Sequence, residues 1–480
     1  MSDVVEMPDP VKLNGGGTSS GSHIDERSTR GERHADAASL LARMEQVPFS
    51  QWHMNARLVM GSATFFDAFN ALSLAFALPT LIRLWHISPK QSGLLISASY
   101  VGQLAGALVF SALAENVGRI RGTTAAIAIM SVMSFGCAMA GNFPVLLACR
   151  FVQGIGVGGE MPVAATYINE LSRAHGRGRF FLLYEMIFPL GLMATGQIGA
   201  WTVPSFGWNS IFLLGGIPGL LITFLVARLP ESPRWLISQG RFQEAEAIIE
   251  QIEASTSRRV PIASTPPAVA VPARAQPGNW TELLSSIYRR RTLIVWTLWA
   301  AAYFVANSLN NWMPSLYNGV YHLNLRQSLR AASMTNVAQV AVLLVCAFSI
   351  DRVGRRNWTV AAFILGGGTL AFLGIMGSQN VLSVMILGTL GYGIIGSINA
   401  VLYLYTPEIY PTRMRAIGTG LATSWLRIAS AIGPALVGFL VDTKGIRSVF
   451  LMFAAVSLVG AIAATAMVET SDRRLEDIAA

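Results

Sequence analysis

Residues 115–121 read Glu115-Asn-Val-Gly118-Arg119-Ile-Arg121, and residues 351–356 read Asp351-Arg-Val-Gly354-Arg355-Arg356. An acid followed three positions later by Gly-Arg thus recurs 236 residues further along a chain of 480. A second pattern repeats at almost the same interval. Tyr167-x-x-Glu170 followed by Arg177 is echoed by Tyr405-x-x-Glu408 followed by Arg415, an offset of 238 residues. Two patterns sharing one offset mark a duplicated unit, so the chain reads as two copies of one fold.

The segments between these charged patterns are apolar. A helix crossing the ~30 Å hydrocarbon core of a bilayer needs ~20 such residues. Six runs of that kind fall at about 57–83, 90–113, 123–141, 143–169, 180–203 and 209–228, and six more at about 292–317, 329–350, 358–377, 381–405, 416–441 and 447–468. The composition agrees: 52% hydrophobic, 13% charged and a mean hydropathy of +0.49. A water-soluble domain carries roughly 25% charge, so a soluble enzyme or a basic nucleic-acid-binding domain is excluded. Cys137, Cys149 and Cys346 lie in apolar runs without metal-ligand spacing and read as small buried hydrophobes.

The expected architecture is an all-α integral membrane protein of twelve transmembrane helices in two pseudo-symmetric six-helix bundles. Residues 1–50 are polar and predicted to be a disordered cytoplasmic tail. The first bundle takes residues 51–228 and the second 292–468. A Pro-rich cytoplasmic linker, 229–291, is expected to carry a surface helix at 241–253, and 469–480 forms a cytoplasmic tail. Lys and Arg set the orientation. With both termini inside, cytoplasmic segments hold 27 of the 35 basic residues and the outer loops hold six, Arg83, Lys90, Arg326, Arg330, Lys444 and Arg447. This asymmetry accounts for the net charge of +9 with no nucleic-acid partner.

The repeated loops, together with Arg150-Phe-x-x-Gly154-Ile-Gly156-x-Gly158-Gly159, resemble the major facilitator superfamily. Pro230-Glu-Ser-Pro-Arg-Trp-Leu236 and Pro407-Glu408-x-x-Pro411-Thr-Arg413-x-Arg415 resemble its sugar-porter-like branch. Pro48-Phe-Ser-x-Trp52-His53, Phe65-Phe66-Asp67-Ala68 and Gly158-Gly159-Glu160-Met-Pro162 are similar to the niacin and synaptic-vesicle-protein-2-related transporters, close to the aromatic-acid:proton symporters. Two departures are visible: Glu115 stands where the superfamily usually has Asp, and Asn70 where the niacin-like pattern tends towards a second acid. The resemblance implies a secondary transporter with its site between the halves.

Charge inside the membrane is costly, at least ~2.5 kcal/mol per residue, and is kept for pairing, water access or function. Asp67, Glu160 and Glu185 are the carboxylates well inside spans, and Arg150 and Arg427 the arginines. At ~1.5 Å per residue, Asp67, Glu160 and Arg427 all fall near the midplane. Asp67 is the first proton-coupling candidate, because a carboxylate shielded from water can bind and release a proton near neutral pH; the aromatic-acid symporters place an Asp here by resemblance. Its alternative role is a permanent tie between helices. Glu160 is the second candidate, or else the partner of a residue in the other half. Arg427 is expected to hold a substrate carboxylate through a two-pronged contact, or to pair with an inward acid such as Asp67. Arg150 reads as structural.

In the seventh span Tyr303, Asn307, Asn310 and Asn311 follow i, i+4, i+7, i+8, and with Trp312 they offer a polar and aromatic binding stripe or interhelical hydrogen bonds. Gln103 and Tyr403 are further substrate-binding candidates, with Gln197 and Asn399 alongside. The loop residues Glu115, Gly118, Arg119, Glu170, Arg177, Asp351, Gly354, Arg355, Arg356, Glu408 and Arg415, with Glu185, are expected to clamp the halves shut on the cytoplasmic side. The glycines of 154–159 sit mid-span with no strand before them, which predicts close helix packing and not a phosphate loop.

These readings predict proton symport of a small organic, aromatic or nicotinate-like carboxylate by a monomer in a bacterial inner membrane. No catalytic residue, metal or cofactor is expected. A sugar or other neutral-solute porter, an exporter of amphiphiles and a transporter-like receptor remain as alternatives.

Overall fold

The structure, a computed structural model, describes residues 37, 39–44, 46–47, 50–171, 186–255, 280–377, 380–411 and 414–470. Among them the first bundle comprises α1 (Gln51–Trp85), α2 (Pro89–Val117), α3 (Arg119–Ala138), α4 (Phe143–Glu170), α5 (Ile187–Phe206) and α6 (Asn209–Ala227). The second comprises α7 (Arg289–Gly319), α8 (Leu325–Val353), α9 (Arg355–Phe372), α10 (Val381–Glu408), α11 (Arg415–Lys444) and α12 (Ile446–Thr465). Ten of these are long and apolar enough to cross a membrane, and α4 and α5, of 28 and 20 residues, complete the bundles.

Local signals set several helix ends. Ser88 and Asn324 accept hydrogen bonds from the backbone N–H of Gln91 and Gln327, capping α2 and α8. Gly118 and Gly354, at φ 113° and 88°, turn the chain sharply between α2 and α3 and between α8 and α9. The ninth span closes in a π-helical turn at Leu373–Gly377, within the expected 358–377.

The bundles pack through bare backbone. A Cβ at Gly154 or Gly158 of α4 would fall on the backbone of Ser99 or Gln103 in α2, and one at Gly156 would lie 2.6 Å from Ala126 O in α3. The mid-span glycines therefore bring α4 against two neighbours at once.

The molecule has two ends: the motif face, bearing Gly118 and Gly354, and the far face opposite. The halves meet at the far face. Gly93 packs so tightly that a Cβ would sit 2.7 Å from Pro434 O, Ser97 Oγ donates to Ala431 O at 2.5 Å, and Lys90 pairs with Asp442 at 3.1 Å. A second seam joins α5 to α8, where Gly196 lies against Ser333. Towards the motif face the halves part around a cavity of about 790 Å³, lined from Asp67 and Tyr100 out to Asp351, Arg355 and Glu408.

The segment preceding α1, expected to be disordered, contains a docked stretch. Residues 39–44 are helical, and Leu40 is buried against Trp235, Leu236, Ala245 and Ile249. Arg43 bridges Glu253 at 2.8 Å and Glu246 at 3.0 Å. The linker helix that receives it spans Phe242–Ala254, one residue from the predicted range, and buries Ala245, Ile249 and Ile252 at helical spacing.

Candidate functional site

The cavity floor is built where α1, α4, α7, α10 and α11 approach one another. Asp67 and Arg427 both line it, and both are buried, at 2% and 8% exposure. They lie within electrostatic reach of each other without closing an ion pair. Asp67 Oδ1 and Arg427 Nε make no hydrogen bond among the described residues. The guanidinium is held by long contacts, Nη1 to Thr423 O at 3.3 Å on its own helix and Nη2 to Gly158 O at 3.5 Å across the seam. A buried charge so thinly satisfied can accept an anionic ligand.

Aromatic side chains flank Arg427. Trp299, fully buried, stacks on Tyr303 at 5.5 Å between centroids and meets Tyr403 edge-on at 4.7 Å. Its indole N–H donates to Thr406 Oγ1 at 2.9 Å, which fixes the ring. Tyr303 and Tyr403 both line the cavity and both lie near the guanidinium, so they form walls suited to a flat ring.

Amides complete the lining. Asn307, Asn310 and Asn311 face the cavity as the helical spacing predicts, with Gln103 and Asn399. Asn307 donates to Ser430 Oγ at 2.7 Å, and Asn311 donates to Tyr100 Oη at 2.9 Å across the halves. These residues therefore serve interhelical bonding and the cavity wall together.

Two expected lining residues, Trp312 and Gln197, stand elsewhere. Trp312 does not join the stripe: its ring is buried against α11 and donates to Pro434 O at 3.1 Å, because at ~100° per residue it stands about 180° round the helix from Tyr303 and about 160° from Asn310. Glu160, the second proton-coupling candidate, stands off the cavity. It is fully buried behind α1, accepting from Thr64 Oγ1 at 3.0 Å, and acts on Asp67 through space. Gln197 lines a different, smaller cavity at the far face.

Among the described residues, the expected clamp at the motif face is not closed in this structure. At the motif face Arg119 pairs with Glu170 at 3.2 Å, Arg355 with Asp351 at 3.1 Å and with Glu408 at 3.5 Å, each within its own half. Among the described residues these motif pairs do not bridge the halves, which stand apart here. The Glu115 side chain is exposed, and Arg415 donates to Tyr410 O at 3.1 Å. Arg177 and Glu185 lie outside the described residues.

Two acids escaped the sequence reading. Glu231 accepts the backbone N–H of Arg119 at 2.9 Å and of Ile120 at 3.2 Å, capping α3. Glu469 accepts those of Arg355 at 2.9 Å and Arg356 at 3.0 Å, capping α9. A carboxylate at a helix N-terminus satisfies free donors and complements the helix dipole. Gly118 and Gly354 make room for them, since a Cβ at either would strike the capping carboxylate. The signal was available: Glu231-Ser232 and Glu469-Thr470 stand at the same 238-residue offset as Glu170 and Glu408.

Arg150, fully inside the first bundle, donates to Gln153 Oε1 at 2.5 Å and to Asn70 O at 3.2 Å. Asn70 in turn accepts from Ser134 and from Gln153, so this arginine ties α4 to α1 and α3 away from the cavity.

A duplicated six-helix unit with its cavity between the halves agrees with the family match. The family described as "Sugar (and other) transporter" matches residues 35–480. The chain belongs to that family, within the major facilitator superfamily. It is a multi-pass membrane transporter, not an enzyme. The niacin transporter NiaP of Acinetobacter baylyi is 33% identical over 444 residues, covering 92% of this chain and 99% of the relative. The 4-hydroxybenzoate transporter PcaK of the same organism is 27% identical over 395 residues, 82% of this chain and 86% of the relative. An inward-open structure of the xylose transporter XylE from E. coli superposes with a TM-score of 0.69 at 16% identity, covering 89% of this chain and 99% of that one. That likeness shows the shared fold.

Proposed function

We propose that this transporter moves a small aromatic or nicotinate-like carboxylate together with a proton, by alternating access, as a monomer in the bacterial inner membrane. The observation that carries the proposal is Arg427: a buried cation on the cavity wall, flanked by Tyr303 and Tyr403, with N–H donors unspent and no carboxylate paired to it among the described residues. The names of two relatives, a niacin and a 4-hydroxybenzoate transporter, agree with an aromatic acid as cargo. Both termini are taken as cytoplasmic from the Arg and Lys distribution, which makes the motif face the inner one and the described state open inward.

Asp67 is the proton carrier in this reading. Its field is set by Arg427 and by Glu160, so arrival of a substrate anion at Arg427 weakens the cation's hold on Asp67 and favours its protonation. Substrate and proton then neutralise the site together, and the neutral site crosses between states at lower cost than a charged one. Glu160, held by Thr64, is a second titrating group coupled to the first.

Uptake by proteoliposomes tests this. With nicotinate, 4-hydroxybenzoate and xylose offered separately, an inward proton gradient should drive accumulation of a carboxylate and an uncoupler should abolish it. Asp67→Asn should lose accumulation while retaining exchange. Uncoupler-insensitive accumulation would sink proton symport, and uptake of xylose alone would replace the carboxylate with a neutral solute.

A further inference from the structure

Of the basic residues assigned to the outer loops, Lys90 is neutralised by Asp442 at 3.1 Å. Arg326 and Arg330 differ. Both are exposed, and neither pairs with an acid among the described residues. They lie one turn apart at the start of α8 and, with Gln197, Ala200 and Trp201 of α5, line a cavity of about 300 Å³ at the far face. Positive charge on that side opposes the topological preference of membrane proteins.

The surroundings define the ligand. Below the two arginines the same face of α8 continues as Met334 and Val337, at i+4 and i+7 from Arg330, exposed by 48% and 37%. Across the seam Trp201 and Phe206 stand out from α5, 66% and 68% exposed, and contact each other edge-on at 5.8 Å. Exposed tryptophan marks the boundary between headgroups and acyl chains. Two cations at that boundary, directly above an apolar stripe, match an amphiphile with an anionic head. A small water-soluble anion has no use for the stripe.

We propose that this cavity is a binding site for an anionic phospholipid, with its phosphodiester held by Arg326 and Arg330, its glycerol end by Gln197 and Trp201, and a chain along Met334 and Val337. Guanidinium suits the role because its fork matches two phosphate oxygens at once. The site draws two donors from each half and sits just above the Gly196–Ser333 contact. It is assembled only while the far face is closed, so the lipid binds this state better than its opposite and shifts the population towards it.

Native mass spectrometry of the purified full chain tests the site, using phosphatidylglycerol and phosphatidylcholine with identical chains. Phosphatidylglycerol should be retained roughly tenfold more than phosphatidylcholine, and R326Q/R330Q should erase that preference. Equal retention of the two lipids by the parent protein, or an undiminished preference in the double variant, would overturn the proposal. Inorganic phosphate and nicotinate are added as competitors. Failure of either to displace the lipid at millimolar level supports the amphiphile, and full displacement by either reassigns the site to a free anion. Should R326Q/R330Q not fold, Trp201→Ala is read in its place, and the comparison of lipids in the parent protein stands regardless. Spin labels at Gln91 of α2 and Thr443 of α11 report the far face in nanodiscs. A larger closed fraction with phosphatidylglycerol supports the link to conformation, and an unchanged fraction refutes it.

Discussion

Replacing Arg427 separates anion recognition from general packing. A guanidinium carries five N–H donors; two are engaged, with Thr423 O at 3.3 Å and Gly158 O at 3.5 Å, so three remain for a ligand. Removing one member of a buried, hydrogen-bonded charge pair costs about 2–5 kcal/mol, or roughly thirtyfold to several thousandfold in affinity. Arg427→Ala should therefore weaken binding of nicotinate by at least about thirtyfold. Arg427→Lys keeps the charge but loses the fork, and should cost about 1.5–3 kcal/mol, the worth of one hydrogen bond to a charged group. Nicotinamide is the control, because it has nearly the same shape without the charge. Its affinity should change by less than about tenfold in either variant. Calorimetric titration of the purified protein with the two ligands measures both quantities, and the thermal midpoint of each variant checks that it is folded. If Arg427→Ala weakens acid and amide to the same degree, the residue is shaping the cavity and not holding a carboxylate, and the proposed function loses its anchor.

Further tests address packing and the two faces. Gly158→Ala puts a Cβ onto the backbone of Gln103 and should destabilise by about 3 kcal/mol, whereas Gly420→Ala, with open space around it, should be neutral or stabilising by up to about 1 kcal/mol; thermal midpoints compare them. Glu231→Ala strips the cap from two backbone N–H groups of α3 and should cost about 1–3 kcal/mol, with Glu469→Ala behaving alike at α9, since the geometry is duplicated. Asp442→Ala breaks a half-exposed pair at the far face worth at most about 1 kcal/mol, so labelling from that side should rise by no more than about fivefold. Arg43→Ala should release the docked segment without lowering transport, visible as faster proteolysis ahead of α1, because Arg43 touches the linker helix and not the cavity.

The architecture was legible because the membrane removes alternatives. Helix number and duplication follow from apolar run length and from the residue offset between the repeated loops. Site residues read from helical spacing were found where the spacing applies: Tyr303, Asn307, Asn310 and Asn311 share the cavity wall. Trp312, one position further, did not follow, and adjacency in sequence was the weaker guide. Trp299, which fixes both tyrosines, was missed because nothing marks an apolar-looking residue as a support until its neighbours from α10 are known.

Sequence alone determined which groups carry charge into the bilayer, and therefore which few residues can do chemistry there. It could not determine who faces whom. Asp67 and Arg427 are 360 positions apart and share a cavity, while Glu160 is near in depth yet turned behind α1 towards Thr64. Rotation of each helix about its axis decides that, and close packing through Gly154, Gly156 and Gly158 sets the rotation of α4. The motif pairs show the same division. Their residues are plain in the chain, but that Arg119 reaches Glu170 and Arg355 reaches Glu408 is decided by how α4 and α10 pack beside the motif turns, which is a property of the folded state and not of any segment.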